Sequence, residues 1–207
     1  MNLLARILSI VFHPLLFATY LYSLFAWIYP PALFPITPRS FSGVLMLVGL
    51  TTFILPAINV YFFKAFGTIS ALSMPLRRER VAPFLMIALL YGVVTYLLYT
   101  KIGLSWQDPF MKFLLIIDVL VVSSFLVTLF VKASIHALSI SGFTVMLIVL
   151  NTMVENGNFF YPMVIAIFLL GLIMTSRLYL QVHTPKEVAV EAAVGIVVSL
   201  TGMLYFF

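Results

Sequence analysis

The chain alternates long apolar runs with short polar connections, and seven runs approach the roughly 20 residues that a helix needs to cross a bilayer. They cover about residues 4–29, 41–66, 82–100, 113–131, 137–152, 159–175 and 187–206. His13-Pro14 interrupts the first run. Proline there removes a backbone donor and leaves a carbonyl for a neighbouring helix to satisfy. Residues 30–40 hold four prolines and Arg39 and read as a stiff connection. The second run contains Pro56 and Asn59 and ends at Lys64. A polar connection, 67–81, opens at Gly67 and carries Arg77, Arg78 and Arg80. The fourth run contains Asp118, and a carboxylate within a span is costly and a functional candidate by default. Its placement near the end remote from the polar junctions favours a structural pair or a wet edge. On the fifth run, Ser139, Ser141 and Gly142 permit close helix contact. Glu155-Asn156-Gly157-Asn158 reads as a turn.

Seven spans put the N-terminus, the 67–81 connection, the 132–136 junction and the 176–186 junction on one membrane face. The connections at 30–40, 101–112 and 153–158 fall on the other. One span more or fewer between the two junctions would separate their histidines.

Composition narrows the class. Of 207 residues 64% are hydrophobic and 8% charged, whereas a soluble domain is about a quarter charged. The expected fold is therefore all-α: a polytopic helical bundle, one integral membrane domain over 1–207. The excess of basic charge is +5. Most basic residues stand at span ends, which argues against nucleic acid and for lipid head groups and membrane topology. There is no cysteine, which removes disulfides and thiolate metal sites. The first apolar run is too long for a signal peptide and has no small-residue cleavage site after it, so it is read as a span.

The chemistry concentrates at 176–187, Ser-Arg-Leu-Tyr-Leu-Gln-Val-His-Thr-Pro-Lys-Glu. Pro185 suits the first turn of a helix. A helix starting near His183–Pro185 puts His183, Glu187 and Glu191 on one face, four residues apart. Arg177 ends the preceding span and lies at the same surface. A guanidinium fork for phosphate oxygens, beside an imidazole backed by a carboxylate, is what phosphoryl transfer through histidine requires.

This stretch resembles the third signature motif of the type 2 phosphatidic acid phosphatase superfamily: Ser-Arg, five residues, His, three residues, Asp. Ser176, Arg177 and His183 match in spacing, and Glu187 stands in place of Asp. Ala133-Ser134-Ile135-His136 resembles the second motif, Pro-Ser-Gly-His, through Ser134 and His136. The first motif is not present as written, and the nearest basic cluster is Arg77–Arg80. The likeness implies a six-helix core with the first span added. It implies a membrane phosphatase acting on a phospholipid or a polyprenyl phosphate through a phosphohistidine. His183 would be the nucleophile, Glu187 its carboxylate partner and His136 the general acid. Arg177 and Ser134 would hold the phosphoryl oxygens, with Lys132, Arg77 and Arg80 as further phosphate-binding candidates. No cofactor is required in that scheme.

Two alternatives stay open. His183, Glu187 and Glu191, with His136 or His13, supply nitrogen and oxygen donors suited to zinc or a similar ion. A non-catalytic fold that binds lipid phosphate is the other. An integral membrane protein of a bacterial inner membrane is expected. Its orientation stays open: the motif face carries Arg6, Lys64, Arg77, Arg78, Arg80, Lys132, Arg177 and Lys186 against Arg39, Lys101 and Lys112. Leaving out Arg77, Arg80, Lys132 and Arg177 as site residues removes the bias.

Overall fold

The computed structural model describes residues 2–154 and 159–207, so the expected turn at Glu155–Asn158 lies outside the described residues. Among the described residues the chain forms helices and no strand: α1 (Asn2–Val11), α2 (Phe17–Ile28), α3 (Phe41–Gly49), α4 (Leu55–Ala65), α5 (Arg77–Leu97), α6 (Pro109–Thr128), α7 (Ile135–Met153), α8 (Phe160–Tyr179) and α9 (Pro185–Phe206). These build seven segments long and apolar enough to cross a membrane. The fold is an all-helical membrane bundle, and many large apolar side chains face outwards, as a lipid solvent allows.

Two of the segments are broken. A 3-10 turn at Pro14–Leu16 separates α1 from α2, with His13 capping it by accepting from the Leu15 N–H at 3.4 Å. A π-turn over Leu50–Ile54 joins α3 to α4, and the Tyr91 hydroxyl donates to the Thr52 carbonyl within it at 3.0 Å. Such turns free backbone groups that a neighbouring helix must satisfy.

Helix ends extend beyond the apolar runs. Arg77 opens α5 rather than lying in the connection before it, and α8 continues through Arg177 to Tyr179. Charged side chains at the ends carry no hydropathy signal, yet their backbone continues the helix. Asp118 sits in the middle of α6 rather than near one end, because α6 starts at Pro109. It has Thr95 of α5 beside it.

The two ends of the bundle differ in chemistry. Away from the junctions, Phe25 packs on Phe113 at 4.8 Å between ring centroids, Tyr22 on Phe110 at 5.2 Å, and Tyr29 on Phe159 at 6.3 Å. At the other end, polar bonds tie four chain segments together. Ser9 bonds to His136, Met74 and Ala133 to Arg80, and Val182 to Lys132.

α7 is the central helix, 56% buried against 22–44% for the other spans. It runs parallel to α9, since both start at the polar end, and the two approach closely. A Cβ on Gly195 would stand 2.2 Å from Ser141 Oγ and 2.4 Å from the Leu138 carbonyl oxygen. One on Gly142 would stand 2.7 Å from Ser199 Oγ. Small residues are what permit helix backbones to meet in a membrane. Of the three small residues expected to do this on α7, Ser141 and Gly142 form the contact.

Gly195→Ala is expected to destabilise the fold by about 1–3 kcal/mol, the usual range for overpacking a filled interface. Gly92→Ala is the control: its Cβ meets nothing within 4 Å. Thermal unfolding in detergent should show Gly195→Ala melting well below wild type and Gly92→Ala at or slightly above it.

Candidate active site

The site is assembled by the starts of α7 and α9 and the end of α8. Gln181, held at φ +53°, turns the chain between α8 and α9. Lys132 Nζ donates to the Val182 carbonyl at 2.9 Å and fixes this turn against the α6–α7 junction. Thr184 then caps α9, accepting from the Glu187 N–H at 3.3 Å, while Glu187 Oε2 accepts from the Thr184 N–H at 3.1 Å. This reciprocal capping box holds the Glu187 carboxylate over the helix start.

The same oxygen, Glu187 Oε2, lies 3.0 Å from His183 Nδ1. His183 therefore donates its Nδ1–H to the carboxylate, and Nε2 has no partner within the protein among the described residues. Burial, with Arg80 and Lys132 adding positive charge nearby, lowers the His183 pKa to about 4, against the opposing pull of Glu187. The ring is neutral at pH 7 with a lone pair on Nε2. Next to it is an open hollow of about 430 Å³ lined by Lys132, Gln181, Val182, His183, Thr184 and Glu187. Lys132 also has its pKa lowered, by burial first and by Arg80 second.

A second, buried layer lies beside this hollow. Arg177, 8% exposed, donates from Nη1 to His136 Nδ1 at 3.3 Å. His136 donates its Nε2–H to the Ser9 carbonyl at 3.1 Å, and its ring meets His13 edge-on with centroids 5.6 Å apart. Both ring nitrogens of His136 are thus engaged by the protein in this state. Four buried polar atoms of this part of the protein, Arg177 Nε, Ser134 Oγ and both oxygens of Glu191, have no partner among the described residues. Ser134 is the N-cap of α7 yet makes no capping bond, so its hydroxyl is unspent. Unpaired buried polar groups are rare and call for a partner such as water or a bound ligand. Arg80 is within electrostatic range of Glu187, Arg177 and Glu191.

The expected residues therefore divide. His183, Glu187 and Lys132 line the hollow, and His136, Arg177 and Ser134 form the layer behind it. No family model, curated protein or solved structure matches the chain. Its likeness to the phosphatase superfamily rests on the motif residues alone.

The arginines of α5 do other work. Arg77 bonds to the Leu129 carbonyl, and to that of Thr128 at 3.4 Å, closing the end of α6. Arg80 gives Nε to the Met74 carbonyl at 2.9 Å and Nη1 to that of Ala133 at 2.5 Å. It acts on the site through its charge, with its donors committed to backbone. The metal alternative finds no such set: among the described residues no three His, Asp or Glu side chains gather as ligands. Glu187 is turned to His183 and Thr184, and Glu191 is buried one helical turn further along α9. Two participants carried no motif signal. The Ser9 carbonyl is invisible in sequence, and His13 could be found only from the His-Pro break on the same face.

A titration checks the His183 environment. Its folded pKa lies below the ordinary 6.5, so between pH 6.5 and about 4 the unfolded chain binds the extra proton. This group's contribution therefore makes stability fall as pH drops through that window. Nitrogen NMR of ring-labelled protein should show His183 neutral with its proton on Nδ1 at pH 7, and uncharged until below pH 5.

Proposed function

We propose that the chain is a membrane-embedded phosphatase, a divergent relative of the type 2 phosphatidic acid phosphatases. It hydrolyses a lipid phosphate or an isoprenyl pyrophosphate through a phosphohistidine on His183. The observation that carries the reading is the 3.0 Å His183–Glu187 pair at the edge of a hollow that also contains Lys132. A neutral imidazole with its Nδ1 proton held by a carboxylate presents Nε2 as a nucleophile, and the carboxylate stabilises the cation that forms.

In the first half-reaction the Nε2 lone pair of His183 attacks phosphorus. The bond from phosphorus to the leaving oxygen breaks, and its electron pair stays on that oxygen. Lys132, the Ser134 hydroxyl and Arg177 stabilise the phosphoryl oxygens, with Arg80 adding field. The starts of α7 and α9 point their free N–H groups and positive dipole ends the same way. Engaging phosphate draws Arg177 off His136 Nδ1. That nitrogen then takes up a proton from solvent and delivers it to the departing oxygen. In the second half-reaction water attacks the phosphohistidine, His136 Nδ1 takes the water's proton, and the P–N bond breaks with its electron pair returning to Nε2. His183 is neutral again, His136 returns its proton to solvent, and inorganic phosphate leaves.

Phosphate release from lipid phosphates in detergent tests this. His183→Ala and Arg177→Ala are each expected to lower kcat/KM by at least about 100-fold, as loss of a nucleophile or of a charged transition-state partner does. Arg77→Ala, which removes only a helix-end contact, should cost less than about threefold. Unchanged turnover in Arg177→Ala, or loss of it in Arg77→Ala with the fold intact, rules the assignment out.

A further inference from the structure

A groove of about 600 Å³ runs along the bundle between α2, α7 and α8. Each wall continues downwards from a residue of the buried polar layer. On α7 the wall is Ile140, Phe143 and Leu147, which follow His136 at intervals of four, seven and eleven. On α8 it is Leu169, Ala166 and Pro162, eight, eleven and fifteen residues before Arg177. On α2 it is Phe17, Tyr20 and Leu24, below the 3-10 turn that His13 caps. On α7 and α8 these are the spacings of one helix face. The faces that descend from His136 and Arg177 therefore form, with α2, one apolar channel beneath them.

The far end of the groove is set by Trp27, Ile28 and Tyr161, at the last turn of α2 and the first of α8. From Arg177 to Tyr161 is sixteen residues of α8, about 24 Å at 1.5 Å per residue. A single leaflet is about 15 Å, half of the roughly 30 Å hydrocarbon core. A fatty-acyl chain anchored at one face fills one leaflet and leaves the lower groove empty. We infer that this groove takes one hydrocarbon chain longer than a leaflet, with its anionic head at Arg177: a long polyisoprenyl phosphate or diphosphate rather than a diacyl phosphatidate. The cation at one end and the apolar walls below it match that amphiphile. The inference rests on the phosphatase reading for the head group and on the groove for the chain.

Two measurements separate these parts. The first is phosphate release from polyprenyl phosphates of 15 and 55 carbons and from dioleoyl phosphatidic acid, by wild type, Ser23→Trp and Ile165→Trp. Ser23 and Ile165 line the groove part-way down, where an indole would obstruct it. Wild type should favour the long chain, and each variant should lower the ratio of long-chain to short-chain kcat/KM by about tenfold, the value of two lost methylene contacts. The second is binding, independent of turnover. The chain has two tryptophans, so Trp106→Phe leaves Trp27 alone at the groove's far end. A nitroxide on the fifth isoprene unit of the 55-carbon chain, about 24 Å from the phosphate and level with Trp27, should quench Trp27 saturably. The same label on the 15-carbon chain should not, and Arg177→Ala should abolish the quenching. Saturable quenching without turnover upholds the groove and rejects the phosphatase. Turnover indifferent to chain length and to both groove variants rejects the groove and leaves the phosphatase standing. Quenching that is linear in lipid and unchanged in Arg177→Ala is that of surrounding bilayer lipid and overturns the inference.

Discussion

The close approach of α7 and α9 is the constraint on which the rest depends. Neither Gly142 nor Gly195 could carry a Cβ without displacing Ser199, Ser141 or the Leu138 backbone. These helices are parallel and in contact, with Gly195, ten residues into α9, against Leu138 and Ser141, three and six residues into α7, so α9 starts roughly 8 Å further out. Thr184 and Glu187 then form an outer layer at one end of the bundle, and Ser134 and His136 the layer behind it. Separating the helices by the width of a methyl group would shift these layers apart. A misplacement of about 1 Å costs about 100-fold in a reacting geometry.

In the outer layer, ordinary helix-end chemistry does the aiming. The carboxylate that holds His183 is the one that completes the capping box of α9, so a structural need and a chemical one use the same oxygen. Lys132 and Arg80 likewise bond to backbone carbonyls while their charge acts on the hollow. The layer behind is held by Arg177 and His136, and their mutual contact is the one a phosphate would displace. Its unpaired atoms, Arg177 Nε, Ser134 Oγ and the Glu191 oxygens, are the groups a ligand or water would satisfy.

Much of this was legible in the sequence because membrane helices announce themselves by length and apolarity. Span number fixed which junctions share a face, and that alone brought His136, Arg177 and His183 together. The start of α9 was readable from Pro185, and the pairing of His183 with Glu187 from a four-residue interval. Three features were not readable. Arg77 and Arg80 look alike in sequence, but one is exposed at the end of α6 and the other is buried on backbone carbonyls. Asp118 was misplaced along its span because Pro109 begins the helix earlier than hydropathy indicates. His136 engages the Ser9 carbonyl 127 residues away, a contact no local pattern encodes.

The central claim is that phosphorus passes through His183. The most direct measurement is an alkaline-quenched reaction with a ³²P-labelled polyprenyl phosphate, followed by peptide mapping. The account predicts an acid-labile, alkali-stable label on the peptide containing His183, at its Nε2, absent in His183→Ala. Sustained phosphate release with no label on that peptide, or with label on His13 or His136 instead, would contradict it.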